Sequence, residues 1–177
     1  MTKAALLFVT SVAAVMGFWL VQASYAADTK LSDADQKFLK EADEIGMTEV
    51  QLGKLAQDHA ATQPVMRFGQ RMVRDHSRMG NELRDLAKSK GVTLPDKLDK
   101  KHQKMVDQMS SLRAGDFDRA YTKDMVSGHE EAIQKFEDEA KNGHDPEVKA
   151  WAAKEVKILQ EHLRLARQTV KVVQGGR

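Results

Sequence analysis

The chain has 177 residues, of which 28 are Lys or Arg, 26 are Asp or Glu, and none is Cys. The lack of cysteine excludes a disulfide scaffold, thiolate zinc sites, iron–sulfur clusters and cysteine nucleophiles. Because the opposite charges nearly cancel, we predict no nucleic-acid partner. The length and the 41% hydrophobic content predict one domain with its own core.

The first 26 residues differ from the rest of the chain. Lys3 precedes an uncharged stretch over residues 4–21, and small Ser24 and Ala26 occupy the −3 and −1 positions of a cleavage site. This layout predicts a signal peptide over 1–26, a single helical domain over 27–177, and export to the periplasm. The alternative is an uncleaved anchor, since 4–21 is long enough to span a bilayer and Lys3 would keep the N-terminus inside. In both cases the domain faces the periplasm, and only an uncleaved segment would attach it to the membrane.

The mature chain repeats the helical i, i+3, i+4, i+7 period of apolar residues. A first helix is predicted from its N-cap, Ser32, to about Ala60. A second starts at Thr62, with Pro64 in its first turn, and stops at Gly91. The short connection between them predicts an antiparallel hairpin.

The second half of the chain repeats this arrangement. A short helix over 97–112 is followed by a long one from Asp116 to Asn142 and another from Asp145 and Pro146 to about Gly175. Two hairpins joined by a long connection predict an all-α four-helix bundle with one crossover, which here carries a short extra helix.

Each long helix carries, within its apolar stripe, one residue whose side chain can bind a metal ion. These residues are Glu49, His76, His129 and His162. Counted from the hairpin turns at 1.5 Å per residue, all four lie roughly 16–21 Å below one end of the bundle. A Glu and three His in one interior layer predict a transition-metal site, with zinc or copper favoured over iron. The alternative is a metal-free hydrogen-bonded network that sets the register of the helices.

Two further histidines neighbour methionines. His102 precedes Met105, and His59 and Met66 flank the first turn. Imidazole with thioether is a donor set for copper, so both places are candidates for secondary soft sites. Methionine also fills irregular gaps in helical cores, which is the simpler interpretation.

Several segments, in order along the helices, resemble one protein family. They are the residues FGQRMVRDH at 68–76, VTLP at 92–95, FDRAY at 117–121, MVSGH at 125–129 and EVKAWA at 147–152. Together they resemble a family of exported bacterial proteins known as a domain of unknown function and often labelled outer-membrane proteins, over residues 33–170. The resemblance implies a ferritin-like bundle, and a related family of exported helical proteins is associated with metals. It implies no established reaction.

One departure from ferritin-like enzymes limits this resemblance. Di-iron bundles use Glu-x-x-His on two helices, but Val73 and Leu159 stand three residues before His76 and His162. Asp75 adjoins His76 in sequence and should point elsewhere. A di-iron oxidase is therefore not expected.

Three hypotheses about function follow. The first is an exported protein that binds one metal ion through the four core residues, with all four positions closed by protein ligands. The second is a metal-free module of the cell envelope that binds a protein partner or a membrane and whose core His and Glu are structural. An enzyme is the weakest hypothesis, because the sequence has no nucleophile–base pair, phosphate loop or dinucleotide fingerprint.

Overall fold

The computed structural model describes residues 31–175, which form five helices and no strand. They are α1 (Asp33–His59), α2 (Gln63–Ser89), α3 (Lys100–Ser110), α4 (Ala114–Asn142) and α5 (Pro146–Gly175). No helix in this range has a stretch long and apolar enough to cross a membrane. The predicted signal segment, 1–26, lies outside the described residues.

Local capping explains most of the helix boundaries. The Ser32 side chain accepts a hydrogen bond from the Asp35 N–H at 3.0 Å, and Asp145 accepts from the Val148 N–H at 3.0 Å. The predicted boundaries of α3 and α4 were wrong by a few residues. The short helix begins at Lys100 rather than 97 because Asp99 is its N-cap, and α4 begins at Ala114 rather than at residue 116.

The four long helices form two hairpins that pack side by side. In the first, α1 contacts α2 along its length, and in the second α4 contacts α5; α1 also packs on α4, and α2 on α5. The crossover helix α3 lies mainly against α1. The predicted four-helix bundle with an extra crossover helix is confirmed. Glycines bring α1 and α2 unusually close, since a Cβ on Gly53 would lie 2.8 Å from the carbonyl oxygen of Gly69.

A buried aspartate near the start of each hairpin caps the turn of the other hairpin. Asp35 accepts hydrogen bonds from the N–H groups of His144 and Asp145 in the α4–α5 turn, both at 3.0 Å. Asp118 accepts from the N–H groups of the α1–α2 turn, at 3.0 and 3.1 Å. Each hairpin therefore holds the turn of the other through one buried carboxylate.

The core consists of two apolar clusters, one toward each end of the bundle. One contains Leu39, Met79 and Leu159, and the other contains Leu52 and Met72. Polar residues lie between the clusters on every long helix, at positions 49, 76, 129 and 162. The candidate site is therefore a polar layer across the middle of an apolar core.

Candidate metal centre

Three of the four predicted residues converge in this layer. His76 comes from α2, His129 from α4 and His162 from α5, and none is more than 2% exposed. Their ring centroids are 5.2–5.8 Å apart. One nitrogen from each ring lies within 4.8 Å of the corresponding nitrogens of the other two.

Hydrogen bonds to two of the rings determine which nitrogen remains free. His129 Nδ1 lies 2.8 Å from the Met125 carbonyl oxygen, so this nitrogen carries the proton and donates it. His162 Nε2 lies 3.0 Å from Asp75 Oδ2 and is the donor to that carboxylate. His129 Nε2, His162 Nδ1 and His76 Nε2 are buried and have no hydrogen-bond partner among residues 31–175. Each ring therefore keeps one buried nitrogen whose hydrogen-bonding capacity is unused by the described residues.

Asp75 is a residue of the site that the sequence reasoning missed. As expected, it does not serve His76, its neighbour in sequence; it instead contacts His162, 87 residues away. Arg71 and Arg74 hold its two carboxylate oxygens at 3.0 Å each. Burial alone would raise the pKa of Asp75, but hydrogen bonds from His162 and Arg74 outweigh burial and lower it. A carboxylate that fixes a histidine in this way is the usual partner of a metal-ligating imidazole.

Glu49 lies beside the histidine group without joining it. Its Oε1 is 3.7 Å from His129 Nδ1, the nitrogen already bonded to a carbonyl. Its Oε2 has no hydrogen-bond partner in the part of the chain that the structure describes. Glu49 is 6% exposed and lines a cleft on the α3 side of the bundle. The structure thus places this residue between the cleft and His129.

Burial determines the charge state of the layer. Desolvation and the neighbouring histidines lower the pKa of His76 well below 6.5, and desolvation with His162 lowers that of His129 to about 4. Desolvation also lowers the pKa of His162, against the opposing effect of Asp75. Burial and the nearby Asp124 raise the pKa of Glu49 to about 8. At neutral pH the layer therefore holds neutral imidazoles, the form that binds metal ions.

These donors fit a transition-metal ion. Three imidazole nitrogens around a tetrahedral zinc at 2.0–2.1 Å lie about 3.4 Å apart, so separations below 4.8 Å need only small movements of the rings. Zn²⁺ and Cu²⁺ both accept imidazole ligands. Three protein ligands also leave a fourth coordination position open, whereas four would close it.

The comparisons with known proteins agree with the fold. The crystal structure of a DUF305 fragment from Deinococcus radiodurans is similar, with a TM-score of 0.69 and 13% sequence identity over 79% of this chain and 97% of that one. At this identity the likeness shows a shared helical fold. No curated protein matches the sequence.

A sequence profile confirms the domain family that the motifs resemble. The sequence profile described as "Domain of unknown function (DUF4142)" matches residues 20–169. This match includes all five helices up to the last turns of α5. The chain therefore belongs to the DUF4142 family.

Proposed function

We propose that this domain binds one transition-metal ion, zinc or copper, in the middle of the helical bundle. His76 Nε2, His129 Nε2 and His162 Nδ1 would be its protein ligands. The observation that carries the proposal is that these three nitrogens are buried on adjacent rings and that no described residue forms a hydrogen bond with them. A buried polar atom without a partner is costly, and a metal ion would satisfy three such atoms at once.

The surroundings of the rings support this proposal. Asp75 and the Met125 carbonyl hold the opposite nitrogens of two rings, which orients the free nitrogens and raises their basicity. Glu49 stands next to the centre as a proton-holding group. With three imidazoles as ligands, the fourth position would hold water or an external ligand.

Equilibrium dialysis with elemental analysis tests the proposal. The protein, produced without a histidine tag, is dialysed against Zn²⁺ or Cu²⁺ and then assayed for bound metal. We expect one tightly bound equivalent in the parent and a large loss of this equivalent in His76→Ala and His129→Ala. His144→Ala is the matched control, because it removes an imidazole whose side chain is 73% exposed. A folded parent that binds no metal would overturn the proposal and favour the metal-free envelope module.

Replacement of Asp75 distinguishes an oriented site from a chance cluster. Asp75→Asn keeps the shape of the side chain but removes the charge that holds His162 Nε2 as a donor. We expect metal affinity to fall by about 10–100-fold with unchanged stoichiometry. Competition with a chelator of known affinity measures this change. Unchanged affinity would show that Asp75 serves the fold alone.

We also propose that the domain works in the periplasm after removal of residues 1–26. The support is the uncharged run of 4–21 followed by the small residues of a cleavage site. Mass spectrometry of the protein recovered from the periplasmic fraction tests this proposal. A mature N-terminus at Ala27 is expected; full-length protein in the cytoplasmic fraction would contradict it.

A further inference from the structure

A cleft of about 420 Å³ opens on the side of the bundle where α3 packs. α1, α4 and the crossover form its walls. Six carboxylates line it, namely Glu41, Glu44, Glu49, Asp99, Asp124 and Glu131. The lining includes three lysines, Lys40, Lys101 and Lys135, and one of these, Lys135, is paired with Glu41 at 2.8 Å. Glu49 keeps its proton at neutral pH, but the other five acidic side chains outnumber the three lysines, so the cleft is acidic and favours cations.

Three metal-binding side chains meet in this cleft. Glu44 comes from α1, Asp99 is the N-cap of α3, and His102 is in the first turn of α3. His102 Nδ1 lies 2.9 Å from Asp99 Oδ1 and 3.7 Å from Glu44 Oε2. One donor atom from each residue lies within 4.8 Å of the other two. Within the described residues, no Lys or Arg forms an ion pair with Glu44 or Asp99.

The inner wall of the same cleft provides an independent indication of a ligand. Glu49 is only 6% exposed and lines the cleft, and its Oε2 has no hydrogen-bond partner among the described residues. Its other oxygen is 3.7 Å from His129 of the core group. A buried carboxyl group with an unpartnered oxygen, placed between two clusters of metal-binding residues, is explained if cations pass it.

We infer that the cleft holds a second cation site, formed by Glu44, Asp99 and His102, from which a divalent cation is loaded into the core site past Glu49. The loading step rests on the proposed core function, whereas binding at the cleft site does not. Two carboxylates and one imidazole suit Zn²⁺ or a similar first-row divalent ion. The Asp99 side chain is 52% exposed, so water would complete the coordination. The cleft site should therefore be weaker and exchange faster than the buried one.

The variants must separate metal binding from the packing of α3. Glu44 Oε2 accepts a hydrogen bond from the Asp99 N–H at 3.1 Å, and Asp99 Oδ1 accepts one from the His102 N–H at 2.8 Å. We therefore leave Asp99 unchanged and use Glu44→Gln, which keeps an acceptor, and His102→Ala. Glu41→Gln is the matched control, because Glu41 lines the same cleft outside the three-residue group.

The first measurement is isothermal titration of Zn²⁺ into the full chain carrying His76→Ala and His162→Ala. We expect one weak equivalent to remain, to be lost when His102→Ala or Glu44→Gln is added, and to persist with Glu41→Gln. No binding by the folded double variant, or binding unaffected by His102→Ala, would overturn the cleft site.

The second measurement follows loading of the core site in chains whose core ligands are intact. Stopped-flow absorbance of Co²⁺ reports its arrival at the imidazoles. We expect His102→Ala to slow loading by about tenfold at low salt while the final stoichiometry at the core stays the same. An unchanged rate would overturn the loading role. Because these chains keep the native core, this test does not depend on the folding of the double variant.

The two proposals fail in different ways. A parent that binds one weak equivalent, sensitive to His102→Ala and insensitive to His129→Ala, would overturn the core site and support the cleft site. One tight equivalent that depends on His129 and loads at the same rate without His102 would support the core site and overturn the cleft route.

Discussion

The substitution Glu49→Gln is predicted to change how the stability of the metal-free protein depends on pH. Glu49 is a buried carboxyl whose pKa is raised from 4.5 to about 8, first by desolvation and then by Asp124. Between these two values the folded state keeps a proton that the unfolded state has released. The free energy of unfolding must then fall as the pH rises through this window. Gln is neutral at every pH, so the variant lacks this contribution.

The size of the effect follows from the raised pKa. When the folded state holds one proton more than the unfolded state, the free energy of unfolding falls by about 1.4 kcal/mol for each pH unit of increase. From pH 5.5 to 7.5, inside the window from 4.5 to about 8, the stability of the parent should fall by about 3 kcal/mol relative to the variant. The pKa of the neighbouring His129 is lowered to about 4, so this imidazole stays neutral across the same pH range in the folded protein. A cost of burying the amide would shift the stability of the variant equally at all pH values.

Urea denaturation followed by far-UV circular dichroism, in the presence of a chelator, measures the difference. Parent and variant are compared at several pH values, and the difference in unfolding free energy is plotted against pH. Glu130→Gln, which removes an exposed carboxylate paired with Arg167, is the control for loss of one charge. A difference between parent and Glu49→Gln that stays constant from pH 5.5 to 7.5 would refute the reasoning, because Glu49 would then be ionised in the folded protein.

Two further predictions concern the packing of the bundle, and thermal and urea denaturation check both. Gly69→Ala should destabilise the protein by about 1–3 kcal/mol, because its Cβ would lie 2.5 Å from the Ala56 Cβ. Gly46→Ala, where no atom of the described residues lies within 4 Å of the new Cβ, should instead stabilise it by about 0.5–1 kcal/mol. Equal effects at the two glycines would contradict close packing of α1 and α2. Asp118→Ala should cost about 3 kcal/mol, since two N–H groups of the α1–α2 turn lose their acceptor. Asp116→Ala, at an exposed position, should change stability by less than about 0.5 kcal/mol, and a similar loss in both variants would argue against the capping role.

The arrangement of the polar layer bears on stability as well as on binding. Three neutral imidazoles and a carboxyl group occupy positions that apolar side chains hold in the rest of the core. Their unpaired atoms reduce the stability of the metal-free bundle. A ligand that binds only the folded state would offset this cost, by about 2.7 kcal/mol at a free concentration one hundred times its Kd. Metal binding should therefore be visible as a rise in melting temperature.

Much of the fold could be predicted because its signals are local. Caps such as Ser32 and Asp145 and the helical spacing of apolar residues depend on neighbours within one or two turns. The short connections then force the hairpins, and counting 1.5 Å per residue along them puts His76, His129 and His162 at similar depth. The exact start of α3 was missed because Asp99, a few residues beyond the predicted start, is the stronger cap.

The details of the candidate site depended on contacts between distant parts of the chain. The rotation and packing of the helices set three contacts. Asp75 contacts His162, Glu49 lies beside the histidine group, and Glu44 meets His102. A rotation of one residue, about 100°, moves a side chain to another face, so periodicity cannot decide these partners. The sequence by itself determined the helices, their pairing and the level of the histidines, because these follow from local preferences and chain length. Only the tertiary structure decided which nitrogen of His129 and of His162 is free, because that choice rests on single hydrogen bonds whose geometry exists only in the packed bundle.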